Sequence, residues 1–117
     1  MFTVNTIDPC AQSQNIARGQ LLLQRGGKPV WVSYIESGRV ALGVLEDGSM
    51  EHQIGVLEGP CWLDASSAVL KLPHLVDALA DTPVELRQVS MEDFSKGIAD
   101  LPEAAQAVLT DMAMAHR

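Results

Sequence analysis

The run Asp64-Ala65-Ser66-Ser67 stands at the start of a short helix-like segment and is the part of the chain best suited to binding chemistry. The first amides of a helix have no intrahelical acceptor, so they attract an anion together with the positive end of the helix dipole. Asp and Ser are also preferred N-terminal caps of helices. The pattern therefore leaves two interpretations open, an anion-binding turn and a simple helix cap.

The three histidines and two cysteines are isolated from one another in the sequence. A metal site on a small β-barrel usually needs a His-x-His pair with further ligands, and His52, His74 and His116 form no such pair. We expect His52 on a strand facing solvent and His74 in an exposed loop. Cys10 and Cys61 form no CxxC pair, and we expect both to be free thiols. The sequence predicts no metal site.

Motifs of catalysis are absent from the sequence. It contains no Gly-x-Ser-x-Gly elbow, no phosphate loop and no cysteine with an evident histidine partner. Asp47, Asp77 and Asp81 fit turn chemistry and surface charge. We therefore predict that the chain is not an enzyme.

The length of 117 residues fits one domain, and the 47% apolar content with only 4% aromatic residues indicates a core of aliphatic side chains. Eight basic against fifteen acidic residues give a formal charge of −7, which repels a nucleic-acid backbone. No apolar run approaches the roughly 20 residues that cross a bilayer, and the N-terminus lacks the pattern of a signal peptide. These features predict a cytoplasmic protein that binds neither nucleic acid nor membrane.

The sequence pattern predicts consecutive antiparallel strands in the middle of the chain. Residues 20–23, 30–35, 39–45, 52–57 and 84–89 are rich in β-branched residues or alternate between apolar and polar ones. Ser37-Gly38 and Asp47-Gly48 supply turns, and the Asp-Gly pair favours the type I′ turn of a hairpin. Residues 1–17 form an irregular lead with one candidate strand at residues 2–4.

Three segments carry helix signals. Residues 62–72 predict one or two helical turns, and Ser90-Met91-Glu92-Asp93 resembles a capping box that opens a short helix ending at Gly97. Asp100-Leu101-Pro102-Glu103 opens a last, alanine-rich helix. Its apolar residues recur at intervals of three and four and form one stripe, which includes Leu101, Ala105, Val108, Leu109, Met112 and Ala115.

Spaced glycines between the strands carry a family resemblance. They are Gly19, Gly26, Gly38, Gly48 and Gly59, with Tyr34-Ile35 before Gly38. With its surroundings, this series resembles the cyclic-nucleotide-binding domain family, in particular the sensor half of catabolite-activator-like (Crp/Fnr-type) bacterial transcription regulators. The resemblance implies a mainly β fold, a small antiparallel barrel or jelly roll over residues 18–99 with short flanking helices. Residues 100–117 would then begin a dimerisation helix.

The family holds its ligand in a phosphate-binding cassette, and this chain departs from that pattern. Aligned without gaps, Leu63 stands at the family's glycine and Asp64 at the glutamate that binds the ribose hydroxyl. His74 stands at the arginine that binds the cyclic phosphate, and Leu75 at the small residue after it. Ala65, Ser66 and Ser67 would supply helix amides. Because a permanent bidentate charge is lost, we expect no cyclic nucleotide, and we expect no haem cofactor either.

The stripe of the last helix has two interpretations. It packs on its own barrel, or, as the resemblance favours, it pairs with a second copy to give a homodimer. The family's DNA-binding helix-turn-helix is absent from these 117 residues. The chain is then either a regulator without a DNA-reading half or a fragment of a longer one.

Three hypotheses for function follow from these features. The first is an effector-sensing and dimerisation domain of a transcription regulator, with an unidentified small-molecule effector and a cassette that no longer binds cyclic nucleotide. The second is a stand-alone adaptor of the same fold that binds another protein. The third is a true cyclic-nucleotide-binding domain that relies on Asp64 and the helix amides.

Overall fold

The computed structural model describes residues 13–116, so the candidate strand at residues 2–4 and Cys10 lie outside the described residues. The strands are β1 (Ser13–Ile16), β2 (Leu21–Leu23), β3 (Trp31–Ser37), β4 (Arg39–Glu46), β5 (Ser49–Glu58), β6 (Cys61–Leu63), β7 (Asp77–Ala80) and β8 (Val84–Ser90). The helices are α1 (Ala65–Leu70), α2 (Met91–Ala99) and α3 (Glu103–Ala115).

The strands form two four-stranded antiparallel sheets. One sheet has the order β1-β8-β3-β6 and the other the order β2-β7-β4-β5. Apart from the hairpin of β4 and β5, neighbouring strands in each sheet are distant in sequence, as in a jelly roll, where the chain crosses between two facing layers. The mainly β jelly-roll fold predicted from the sequence is confirmed.

Two apolar cores lie on opposite faces of the β1-β8-β3-β6 sheet. Inward-facing aliphatic residues of both sheets, among them Ile35, Val40 and Leu86, fill the space between the layers. On the outer face, Val32 and Val89 pack with Ala68 of α1 and Phe94 of α2. Alternation along β3 sends Val32 to the helices and Ile35 to the barrel interior, as the period of two requires.

The predicted Asp47-Gly48 turn and Ser90 cap are confirmed, but the expected pairing of consecutive strands across Ser37-Gly38 is wrong, because β3 and β4 lie in different sheets. Asp47 and Gly48 both have positive φ, as the type I′ turn between β4 and β5 requires. The Ser90 hydroxyl accepts the Asp93 amide at 3.1 Å and caps α2. The expected stop at Gly97 is wrong, because α2 continues to Ala99 and places Ile98 on the outer core.

Three strands were missed because the sequence around them carries little alternation. β1 pairs with β8 inside the segment interpreted as an irregular lead. The three residues of β6 add to the edge of β3, and β7 lies between β2 and β4. Short strands like these are defined by their partners rather than by their own pattern.

Candidate functional site

Asp64 is the central residue of the cassette. It precedes α1 in the left-handed conformation, with φ 50°, and its carboxylate makes no side-chain cap to the helix backbone. Its Oδ1 accepts the Ser66 hydroxyl at 3.2 Å, and its Oδ2 accepts the Ser67 hydroxyl at 2.7 Å. His74 Nδ1 lies 2.7 Å from the same Oδ2. The carboxylate therefore binds side chains of its own cassette.

The prediction of an exposed loop histidine is wrong for His74. Its side chain is 8% exposed, and its backbone is fixed on both sides by the turn after β2. The Gly26 amide donates to the His74 carbonyl at 2.8 Å, and the His74 amide donates to the Gly27 carbonyl at 2.9 Å. The imidazole is thus held in place from the backbone and from Asp64 together.

A cavity of about 240 Å³ opens beside His74 at the end of the barrel interior; we call it the lumen cavity. Ser33 of β3 and Gln88 of β8 are directly paired across the sheet, and both line it. The remaining lining comes from β2 and from the turn and strand that follow: Leu22, Leu23, Gln24, Gly27, Lys28, Val30 and Trp31.

The lining of the lumen cavity combines an apolar wall with a few hydrogen-bonding groups. The Gln88 amide nitrogen lies 3.4 Å from the Ser33 hydroxyl, and Gln14 donates to the Gln88 oxygen at 3.1 Å. His74 Nε2 makes no hydrogen bond within residues 13–116 and can bind a ligand. Lys28 supplies the one formal cation among the lining residues. Such a mixture is typical of small-molecule sites.

Asp77 was interpreted as surface charge, and this is wrong. It is 6% exposed, and its two carboxylate oxygens accept the backbone amides of Arg25 at 2.7 Å and Leu45 at 2.8 Å. The hydrogen bond from the Arg25 amide has the largest effect, and together with the bond from the Leu45 amide it holds the pKa of Asp77 below its ordinary value. Asp77 thereby joins the turn that borders the lumen cavity to the end of β4.

The structure separates the other residues of the aligned cassette. Leu63 is buried in the core between the sheets, and Leu75 is 54% exposed. Ala65 and Ser66 line a second cavity on the opposite side of α1. His74 therefore lines the lumen cavity, while Asp64 and Ser67 act through their bonds within the cassette.

The second cavity, which we call the helix cavity, measures about 300 Å³ and lies between the outer face of the sheet and the three helices. Its lining residues come from β6, α1, α2, α3 and the residue after α3. They are Trp62, Ala65, Ser66, Val69, Phe94, Leu109, Met112, Ala113 and His116.

The apolar stripe of α3 is divided between two environments. Leu109 and Met112 face the helix cavity, and α3 packs against α1. Val108 is 57% exposed and Met112 is 54% exposed, while Leu101 and Ala105 are half-buried and Ala115 is exposed. Ala113, which the predicted stripe omits, is the buried residue of this helix. The helix therefore packs on its own domain and still presents apolar side chains to solvent.

The described residues show no grouping of three His, Cys, Asp or Glu side chains able to hold a metal ion. Cys61 is half-buried, and burial raises the pKa of its thiol, which disfavours the reactive thiolate. His52 lies exposed on β5, as predicted. Within residues 13–116, no helix is long and apolar enough to span a membrane.

Two facing antiparallel sheets, with a short helix after β6 and a cavity at the barrel end, form a cyclic-nucleotide-binding-like jelly-roll fold. Comparison with solved structures supports this class. The chain superposes on the EAL enzyme Bd1971 in its cyclic-GMP-bound form with a TM-score of 0.75, at 17% identity over 88% of this chain and 27% of that one. It thus spans about a quarter of that enzyme.

Two shorter proteins match over more of their own length. A cyclic nucleotide-binding-like protein from Brucella abortus matches with a TM-score of 0.68, at 18% identity over 82% of both chains. The N-terminal domain of a transcriptional regulator from Streptomyces coelicolor matches with a TM-score of 0.65, at 21% identity over 92% of this chain and 73% of that one. No family model and no curated protein sequence matches the chain.

Proposed function

We propose that this chain is the effector-sensing module of a regulatory protein, and that its lumen cavity binds a small molecule other than a cyclic nucleotide. The observation that carries the proposal is the Asp64–His74 contact at 2.7 Å beside the lumen cavity. It supports a site that keeps the position of the family's ligand pocket and has lost the groups that recognise a cyclic nucleotide.

The hydrogen bonds of Asp64 argue against recognition of a ribose hydroxyl. An ionised carboxylate has about four acceptor positions, and Ser66, Ser67 and His74 occupy three of them. A ribose hydroxyl that used Asp64 would have to compete with these bonds. The absence of the family's arginine removes a charge-assisted bond worth roughly 1.5–3 kcal/mol, which is about one to two orders of magnitude in affinity.

The lining of the lumen cavity indicates the character of the effector. Leu22, Leu23 and Val30 present an apolar wall to one side of a small ligand, and Trp31 adds an aromatic face. Lys28 favours a hydrogen-bond acceptor on the ligand. The Nδ1–H of His74 donates to the Asp64 carboxylate, so Nε2 of the neutral imidazole is an acceptor and favours a donor on the ligand. We therefore expect a compact, mainly apolar molecule that carries one acceptor and one donor, as a small amide does.

The first test is calorimetric titration with cyclic AMP and cyclic GMP up to millimolar concentration. We expect no saturable heat, because the phosphate would meet one partly screened lysine in place of an arginine fork. Saturable micromolar binding would overturn the proposed loss of nucleotide recognition. The Trp62→Phe variant leaves Trp31, a lining residue, as the only tryptophan, so its fluorescence reports ligands in the lumen cavity independently.

A thermal-shift screen of small acids and amides tests the sensing role. A genuine effector should raise the melting temperature of the parent chain and of Ser37→Leu, which changes an exposed position of β3. It should not stabilise Ser33→Leu, whose larger side chain fills the lumen cavity. Stabilisation of all three proteins alike would place the ligand elsewhere and contradict the proposal.

We further propose that the exposed part of the α3 stripe mediates a homodimer. Val108 and Met112 are each more than half exposed and lie four residues apart, so they share one face of the helix. Met112→Asp should abolish association in sedimentation equilibrium, and Glu103→Asp, at an exposed position outside the stripe, should leave it unchanged. An unchanged monomer–dimer constant in Met112→Asp would refute the dimer and favour the adaptor that binds another protein.

A further inference from the structure

The helix cavity is chemically unlike the lumen cavity. Among residues 13–116, its lining holds no carboxylate, lysine or arginine, and its polar side-chain groups belong to Ser66, His116 and the indole of Trp62. The Ser66 hydroxyl already donates to Asp64. Water in such a space finds few hydrogen-bond partners, and apolar cavities of this kind are better occupied by apolar molecules.

Aromatic side chains form the floor of the helix cavity. Trp62 packs edge-to-face against Tyr34, with ring centroids 5.2 Å apart, and against Phe94, with centroids 6.3 Å apart. An aromatic ligand extends this edge-to-face arrangement, which aromatic rings prefer to parallel stacking. The Met112 thioether on the opposite wall makes favourable contacts with ring edges.

The volume of the helix cavity and the charge of the chain limit which ligands can bind. A volume of about 300 Å³ lies at the lower end of the range of small-molecule sites, roughly 300–1,000 Å³, which suits a molecule of one or two rings. The chain carries a formal charge of −7, and the described residues that line the cavity include no Lys or Arg to bind an anion. A neutral ring therefore fits better than an aromatic carboxylate of the same shape.

We propose that the helix cavity is a binding site for a neutral aromatic small molecule of one or two rings. The ligand lies between α1 and α3, over Trp62 and Phe94. The site is separate from the lumen cavity, because α1 presents Ala65, Ser66 and Val69 to the helix cavity and none of these three residues lines the lumen cavity. It therefore stands whether or not the proposed effector site is correct.

The test is a titration of the whole chain with indole, followed through carbon-13-labelled methionine methyl groups. Met112 is the one methionine that lines the helix cavity within residues 13–116, so its methyl resonance should move saturably. Met50, on the β5 strand, should stay in place and provides the internal control. Indole-3-carboxylate, the same ring system with a negative charge, should bind at least about fivefold more weakly, because the described lining holds no lysine or arginine and the chain has a formal charge of −7.

Two variants and one direct measurement make the outcome decisive. Ala65→Leu fills the helix cavity and should weaken indole binding about tenfold or more, whereas Ala104→Leu makes the same change at an exposed position of α3 and should leave it unchanged. Nuclear Overhauser contacts between indole protons and the Met112 and Val69 methyl groups test the parent protein without any substitution. Absence of these contacts, equal binding by both variants, or a Met112 shift that follows only protein concentration would overturn the proposal.

Discussion

Replacing Asp64 and His74 singly and together measures the contact on which the proposed loss of nucleotide recognition rests. Asp64→Asn is a clean perturbation, because asparagine is among the residues that best tolerate the left-handed conformation observed there, with φ 50°. It removes the negative charge and keeps an amide oxygen for one partner. His74→Ala removes the imidazole and leaves the backbone bonds to Gly26 and Gly27 in place.

The geometry sets the magnitude of this coupling. The 2.7 Å bond has an ionised acceptor, and a hydrogen bond to a charged group contributes roughly 1.5–3 kcal/mol. The Asp64 side chain is 18% exposed and that of His74 is 8% exposed, so water screens the pair in part. We expect a coupling free energy of about 1–2 kcal/mol between the two substitutions.

Urea unfolding of the four proteins, followed by tryptophan fluorescence, gives this coupling as the departure from additivity. The same cycle on Arg39 and Asp81, an exposed ion pair at 3.2 Å, provides the control and should give about 0.5 kcal/mol or less. A coupling for Asp64 and His74 no larger than that of the control would show that the cassette is not held by this bond. Only the Ser66 and Ser67 hydroxyls would then compete with a ribose hydroxyl for Asp64, and the argument against cyclic nucleotides would lose the contact that carries it.

Two further predictions concern stability. Asp77→Asn should lower the free energy of unfolding by about 1–3 kcal/mol, because one of the two part-buried backbone amides then faces an NH₂ group, while Asp81→Asn should lower it by about 0.5 kcal/mol or less. The pKa of Asp77 is lower in the folded protein than in the unfolded chain, where it is about 3.9. The ionised carboxylate therefore stabilises the fold above pH about 3.9, and this stabilisation is lost as the pH falls through the folded-state pKa. The stability of Asp77→Asn should lack this dependence on pH in acid unfolding. Gly43→Ala should destabilise the fold by about 2–3 kcal/mol in thermal unfolding, because the added Cβ would overlap the His52 carbonyl oxygen on β5. Gly55→Ala should be nearly neutral, because no atom lies within 4 Å of the position that its Cβ would take. Equal losses of stability for Asp77→Asn and Asp81→Asn would contradict the contacts assigned to Asp77. Equal losses for Gly43→Ala and Gly55→Ala would contradict the close approach assigned to Gly43.

The elements predicted best from sequence are those whose signal is local. Alternation identified β3, β4 and β8, and the Asp47-Gly48 pair located the hairpin because its turn type requires positive φ at both residues. The Ser90 cap was likewise found, since the hydroxyl and the amide that it accepts lie three residues apart. Such features need no knowledge of the rest of the chain.

The candidate site could be predicted only in part, because its contacts join distant segments. The alignment placed Asp64 and His74 in one cassette, but burial of His74 depends on its bonds to the turn at Gly26 and Gly27, nearly fifty residues earlier. Asp77 accepts amides from two other segments, which its own surroundings in the sequence do not reveal. A signal did exist for the lumen lining: Ser33 and Gln88 are polar residues at inward positions of strands that otherwise alternate.

The helix α1 connects the two cavities. Asp64, which precedes α1, forms a hydrogen bond with His74 beside the lumen cavity. Ala65 and Val69, which belong to α1, line the helix cavity. A ligand in the helix cavity that displaced α1 would also displace Asp64 and so change the surroundings of His74. Thermodynamic linkage makes any such effect reciprocal. If α1 couples the two sites, indole should change the affinity for a lumen ligand, and that ligand should change the affinity for indole by the same factor. An unchanged affinity in both titrations would show that α1 does not couple them.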